Sequence, residues 1–237
     1  PSSVPLSISV NNNDFSSVPD GFRYFTPPAA SSSLPASGPT TGSTLITVSG
    51  YGLSPPGQNG IPQHGIPQYE CRLGGVAVPA TLAGSGDALL CRTPNMAAAS
   101  SGSAPNLAAT TGTVPLQLTI NGQLFTPSAQ LSFLLRAPPN VTRVSPGGGP
   151  IAGGTQLTLR GFGLSSAVEQ PLCRFAPPTN STFSTPAAAL TVAASLTVAA
   201  SAPHPPQPDT LLCEAPPYSS LPPGPTTLEV SLNGQQF

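Results

Sequence analysis

Four cysteines, two histidines, eight carboxylates and two Asn-X-Thr tripeptides are the residues of this 237-residue chain whose types could do chemistry. The carboxylates are Asp14, Asp20, Glu70, Asp87, Glu169, Asp209, Glu214 and Glu229. They are scattered, and none forms a DxD or HExxH group able to hold a metal or relay a proton. His64 and His204 sit in proline-rich loops with no neighbouring acid to orient them. "SPGGGPIAGG" (145–154) is glycine-rich like a phosphate loop. It lacks the Gly-Lys-Ser/Thr ending and runs into a strand pattern instead of a helix, so it reads as a turn. Catalytic, cofactor-binding and metal-binding residues are therefore not expected, and the chain is not read as an enzyme.

The composition points to the elements that would carry these residues. Only 6% of the chain is charged, against about 25% in an ordinary soluble domain. There is no lysine, and proline (33) with glycine (24) makes up roughly a quarter of the residues. Disordered chains are normally charge-rich and poor in β-branched residues; this one is the reverse. No apolar run approaches the ~20 residues of a membrane-spanning helix. What remains is an all-β protein with long Pro/Ser/Ala loops. The net charge is −1, so the basic footprint that nucleic acid requires is missing. A neutral, hydroxyl-rich surface is poorly soluble by itself, and a glycan coat would remedy that.

The chain repeats itself. "VPLSISVNNNDF" (4–15), "VPLQLTINGQLF" (114–125) and "TTLEVSLNGQQF" (226–237) share one shape: an alternating strand, an Asn-containing turn, an aromatic end. "LPASGPTTGSTLITVSGYGLS" (34–54) matches "SPGGGPIAGGTQLTLRGFGLS" (145–165) without a gap, and "FRYFTPP" (22–28) matches "FLLRAPP" (133–139). The unit is thus about 110 residues, the size of an immunoglobulin-type sandwich. "TLITVSG" and "TQLTLRG" are expected to put Leu, Ile and Val on one face and Thr on the other. Asn121-Gly122 and Asn233-Gly234 read as hairpin turn dipeptides, with Asn12-Asn13 filling that place in the first copy. The expected organisation is the last hairpin of a preceding unit (1–26), a complete unit (27–137) and a second unit lacking its last strand (138–237). Pro1 opens inside a Ser/Pro segment with no signal peptide, so the chain reads as a window on a longer tandem array.

The ordered motifs GP, GGT.LTL.G.G, Cys, LLC..P and LNGQ.F resemble the IPT/TIG domain. This is the Ig-like module of plexins, Met-type receptors, fibrocystin-like proteins and Rel-type transcription factors. The resemblance covers nearly the whole chain apart from insertions at 54–68, 96–113 and 176–209. It implies tandem immunoglobulin-like (E-set) β-sandwiches. It does not specify a function, because the module serves adhesion, signalling and DNA binding alike.

Cys71 and Cys91 fall in one unit, Cys173 and Cys213 in the next, at equivalent places. One disulfide per unit is the leading expectation. Free buried thiols and a four-cysteine metal site are the alternatives, the latter without any Cys-x-x-Cys spacing. Disulfides would imply an oxidising compartment. The sequons Asn140-Val-Thr142 and Asn180-Ser-Thr182 are candidate N-glycosylation sites, which only an exposed position in a secreted protein permits. "SPPG" (54–57) and "APHPPQP" (202–208) favour polyproline II loops, and hydroxyproline carrying O-glycans is a sharper reading of the same segments. "LTVAASLTVAAS" (190–201) is a direct duplication that reads as an extra hairpin or an insert.

The composition resembles green-algal extracellular proteins, among them flagellar-hair (mastigoneme-type) glycoproteins. The expected function is a structural or adhesive segment of an extracellular filament or cell-surface coat. Its expected partners are other copies of itself or other extracellular glycoproteins, without nucleic acid and without membrane insertion in this segment. The alternative is the ectodomain of a plexin-like or fibrocystin-like receptor that binds a protein ligand.

Overall fold

The computed structural model describes residues 2–54, 69–96, 111–127, 129–164, 169–176, 189–197, 208–217 and 224–237. Most of the three long insertions, with His64, Asn180 and His204, lies outside the described residues. Among the described residues the regular structure is sixteen β-strands, and the chain is all-β. Strands β1 (Ser2–Ile8) and β2 (Ser16–Tyr24) form an antiparallel hairpin by themselves.

The first unit follows, with β3 (Ala29–Leu34), β4 (Ser37–Pro39), β5 (Leu45–Tyr51), β6 (Glu70–Leu73), β7 (Val76–Leu82), β8 (Ala88–Arg92), β9 (Gly112–Thr119) and β10 (Leu131–Arg136). They connect in the order β3-β5-β8-β7-β6-β9-β10-β4. One strand makes this a two-layer sandwich. The first half of β7 pairs with β6, Val78 opposite Cys71. Its second half, from Ala80 to Leu82, pairs with β8. β7 therefore passes from one layer to the other.

The second unit repeats the plan with β11 (Asn140–Ser145), β12 (Gln156–Phe162), β13 (Leu172–Ala176), β14 (Leu190–Thr197), β15 (Asp209–Glu214) and β16 (Thr227–Ser231). Its order is β11-β12-β15-β14-β13-β16. Here β14 is the crossing strand: Leu190–Ala193 pair with β13, Ala194–Thr197 with β15. Of the duplicated stretch 190–201, the described residues 190–197 form one strand and not a hairpin, and that strand serves both layers in turn.

Period-2 alternation fills each sandwich. In the first unit Ile46 and Val48 of β5, Leu73 of β6, Leu89 of β8, Leu116 and Leu118 of β9, and Phe133 and Leu135 of β10 are buried together. Leu157, Leu159, Leu211, Val230 and Leu232 do the same in the second. The expectation that Leu, Ile and Val all share one face of "TLITVSG" needs a correction. Ile46 and Val48 point into the core, while Leu45 is only partly buried and shares the outer face with Thr47. Strict alternation forces this, since Leu45 and Ile46 are adjacent.

The hairpin offers a contrast. By the repeat, Val4, Leu6, Ile8, Phe22 and Tyr24 correspond to Val114, Leu116, Leu118, Phe133 and Leu135. The latter are buried and the former exposed. Phe22 and Tyr24 rest edge to face on each other, 5.0 Å apart. Phe133→Ala is expected to lower stability by about 3–5 kcal/mol, since it empties a fully buried site. Phe22→Ala is expected to stay within about 0.5 kcal/mol, as for other exposed positions. Urea unfolding of the two variants checks this, and equal losses would contradict the core assignment.

Candidate functional site at the joint between the units

The turn that ends each repeated segment is built the same way three times. Asn121 Oδ1 accepts the N–H groups of Gln123 (3.1 Å) and Leu124 (3.0 Å). Asn233 Oδ1 accepts those of Gln235 (3.2 Å) and Gln236 (3.4 Å). Asn11 Oδ1 accepts those of Asn13 (3.0 Å) and Asp14 (2.9 Å). These are side-chain-closed Asx turns. The residue after the asparagine adopts positive φ: 71° at Gly122, 75° at Gly234 and 63° at Asn12. The first copy therefore uses Asn11-Asn12, not Asn12-Asn13. Asparagine tolerates the left-handed region better than other side-chain-bearing residues. Nor is the turn in the first unit a two-residue hairpin. Residues 120–130 separate β9 from β10, and the Asx turn stands at the start of that excursion.

In the second unit this turn grips the first unit. Gln235 forms a two-pronged pair with the backbone of Leu45: the Leu45 N–H donates to Oε1 and Nε2 donates to the Leu45 carbonyl, both at 2.8 Å. Asn233 Nδ2 donates to the Ser37 carbonyl (3.3 Å) and to Gln236 Oε1 (2.7 Å). The Thr44 hydroxyl also donates to Gln236 Oε1, at 3.0 Å. The receiving edge is shaped by the GP–GGT motif. A Cβ on Gly38 would collide with Thr44 Oγ1, so only glycine lets Thr44 lie against that backbone.

A second set of contacts locks the same joint. Arg136, the last residue of β10, is buried, and its guanidinium donates to Ser37 Oγ at 2.6 Å. Ser37 Oγ donates to Glu169 Oε2 at 2.5 Å, and the Ala36 N–H donates to Glu169 Oε1 at 2.6 Å. Arg136 and Glu169 form an ion pair at 3.6 Å. Burial pulls the Arg136 guanidinium below its ordinary value, and the facing Glu169 carboxylate opposes that shift. Between the units lies a cleft of about 360 Å³ whose lining includes Pro39, Arg136, Pro139, Val141, Asn233 and Phe237.

The aromatic that closes the second and third repeated segments also has a defined task. The Arg72 guanidinium stacks on the Phe125 ring at 3.8 Å, and Arg174 on Phe237 at 4.0 Å. Each arginine is steered by a repeat-equivalent side chain: Arg72 Nε donates to Gln117 (3.1 Å), Arg174 Nε to Glu229 (2.7 Å). Each arginine directly follows a cysteine, and each arrangement anchors the Asx turn to its own sandwich. Such a cation–π contact stabilises by about 0.5–2 kcal/mol.

The four cysteines are placed as two bonded pairs, Cys71–Cys91 and Cys173–Cys213, with Cα atoms 6.3 and 6.4 Å apart. Each bond ties one layer of a sandwich to the other. The expected sequon Asn140 is exposed at the start of β11, and the Thr142 hydroxyl donates to the Arg160 carbonyl at 3.1 Å. Among the described residues no group of His, Cys, Asp and Glu is arranged to hold a metal, and no helix is long and apolar enough to cross a membrane. Glu169 and Glu229, two of the scattered carboxylates, turn out to be structural partners. Gln235, Arg136 and Arg72 were not singled out from the sequence. The one visible clue was that Cys-Arg and Asn-Gly-Gln recur in both units.

Comparison with known proteins bears on the architecture. The IPT/TIG domain family matches residues 28–133 and 139–237. A structure of the plexin A4 full extracellular region, domains 1 to 10, is similar over 83% of this chain at 17% identity with a TM-score of 0.50. A second structure of that region, domains 1 to 8, covers 87% of this chain at 16% identity with a TM-score of 0.45. This chain spans 13% and 17% of those two chains, and at 17% identity the fold is what it shares with the first. No curated protein matches.

Glu169→Ala removes the carboxylate that faces the buried guanidinium and that accepts from the Ala36 N–H and the Ser37 hydroxyl. It is expected to weaken the joint by about 1.5–3 kcal/mol, the range for hydrogen bonds to a charged group. Combining it with Arg136→Met in a double-mutant cycle is expected to recover part of that loss. Amide hydrogen exchange at Ala36 and Leu45 reads it: protection falls in the single variant, and unchanged protection would contradict the clamp.

Proposed function

The chain belongs to the IPT/TIG domain family, and from that premise we propose that it is a structural spacer of an extracellular filament or cell-surface coat. The observation that carries this is the joint. The recurring turn of the second unit holds the backbone edge of the first, and a three-residue link, Ala137-Pro138-Pro139, connects β10 to β11. Consecutive prolines favour an extended, stiff backbone. Units joined in this way keep a fixed orientation, which a spacer needs.

Several features support the extracellular side of the proposal. Each sandwich carries one disulfide, and such bonds persist in oxidising compartments. The charge-poor surface suits a glycan coat, with Asn140 and Asn180 as its proposed N-linked points. We also assign 1–26 to the last hairpin of a preceding unit, 27–137 to a complete unit and 138–237 to a second lacking its last strand. The exposed apolar side chains of β1 and β2, which match buried ones in β9 and β10, support the first assignment. No enzymatic role is proposed. A flagellar hair is the finer form of this proposal, and its support is compositional.

Intact-mass and glycopeptide spectrometry on native material tests the proposal. Glycan on Asn180, modified prolines and four oxidised cysteines are the expected result. Bare Asn180, unmodified prolines and reduced cysteines together would overturn it.

A further inference from the structure

The seven basic residues of the chain are all arginines. Four of them meet a partner within the protein. Arg72 and Arg174 stack on Phe125 and Phe237, Arg136 faces Glu169, and Arg92 donates to the Ser43 carbonyl at 3.3 Å. Two others stand together. Arg143 of β11 lies directly opposite Arg160 of β12 across the antiparallel ladder. Leu157, Leu159 and Gly161 of β12 are buried, so the alternation puts Arg160 on the outer face, and Arg143 shares it. Both arginines are exposed. Among the described residues the ion pairs go to Arg136 and Arg174, and no carboxylate pairs with Arg143 or Arg160. Like charges directly opposite in a sheet, with Cβ atoms about 4.5–5.5 Å apart, are destabilising.

The first unit shows that the fold does not require this pair. At the repeat-equivalent places Ser32 of β3 stands opposite Ser49 of β5. The ladder shifts register at the same point in both units, between Ala30 and Ser32 and between Val141 and Arg143. The Ser31 hydroxyl donates to the Ser49 carbonyl and the Thr142 hydroxyl to the Arg160 carbonyl, both at 3.1 Å. One backbone arrangement thus carries two serines in one unit and two arginines in the other. The joint between units leaves this face open. The second unit holds the first at Ser37, Thr44 and Leu45, with Ser32 still exposed and Ser49 half-buried. The first unit, seated before the second, leaves Arg143 and Arg160 exposed. A unit joined in the same way on either side therefore does not cover the pair.

We propose that Arg143 and Arg160 form a binding site for the sulfate or carboxylate groups of an acidic polysaccharide. A guanidinium is a planar fork that donates two hydrogen bonds to one oxyanion. Two forks side by side on one face hold an anion between them, which turns their mutual repulsion into attraction for the ligand. The surroundings suit a sugar chain. Ser145 and Thr158, opposite each other two positions along, add hydroxyls to the same face. Phe162, on that face of β12 and 47% exposed, offers an apolar ring beside the arginines. A second copy of this chain is a poor source of the anion, because its eight carboxylates are scattered and two are committed to arginines. Nucleic acid requires a wider basic footprint than two residues. This inference deepens the spacer proposal by naming a partner class, and it rests on that proposal only for where the polysaccharide is met. Binding measurements test the site and glycopeptide spectrometry the location, so the two can fail separately.

Binding of the full chain to immobilised dextran sulfate, with neutral dextran and polyglutamate as comparisons, is the test. The chain is expected to bind dextran sulfate at low ionic strength, to release it as salt screens the exposed charges, and to ignore neutral dextran. The R143S/R160S variant, which restores the serine pair of the first unit, is expected to lose at least tenfold in affinity with an unchanged far-UV spectrum. Should that spectrum change, R143Q/R160Q gives the same reading. The R23Q/R92Q variant removes as much charge elsewhere and is expected to bind as the parent does. Moving the pair, by S32R/S49R in the R143S/R160S chain, is expected to restore binding. Undiminished affinity in the folded R143S/R160S or R143Q/R160Q chain overturns the proposal, as does an equal loss in R23Q/R92Q. Polyglutamate held as tightly as dextran sulfate overturns the polysaccharide assignment in favour of an acidic peptide.

Discussion

The orientation of one sandwich on the other depends first on one turn, the Asn233–Gln236 segment seated on the backbone of Leu45 and Ser37. Neutral hydrogen bonds of this kind contribute only about 0.5–1.5 kcal/mol each. Relative motion is the default for domains that share a small polar interface. Three features offset that default here. Gln235 uses both ends of its amide on one residue, which fixes direction as well as distance. The Arg136–Ser37–Glu169 chain adds charge-assisted bonds at a buried point. The link between units is three residues long, and two of them are prolines.

Each sandwich must be rigid on its own for such a joint to matter. In both units a crossing strand joins the layers and a disulfide ties them a second time. The disulfides close loops of 20 and 40 residues, for which chain-entropy arguments give about 2–4 kcal/mol each. The arginine after the first cysteine of each pair then holds the aromatic beyond the Asx turn. The sequence Cys-Arg therefore serves two purposes in two adjacent residues: one side chain closes the core, and the next, on the opposite face of the strand, positions the gripping turn.

Much of this was legible from sequence, because local rules decide it. Alternation predicted the strands, and the repeat predicted two equal bodies with one cysteine pair each. Where the local rules were applied loosely, they misled. Asn-Gly suggested a tight hairpin, whereas the Asx turn precedes an excursion to residue 130. Leu45 was grouped with Ile46 despite the pleat. The joint itself was out of reach for a different reason. Ala36 and Glu169 are 133 positions apart, and their meeting depends on how two finished bodies settle together. No periodicity encodes that. A carboxylate without a neighbouring partner in sequence looked idle, and the fold supplied its partner from another unit.

Backbone ¹⁵N relaxation of the intact chain tests the rigid joint most directly. Amides in β5 and β12 are expected to report one shared rotational correlation time, that of a single body of 23.7 kDa. Two shorter, unequal correlation times, one for each sandwich, would contradict the account: the hydrogen bonds of the turn would then not hold the units together in solution.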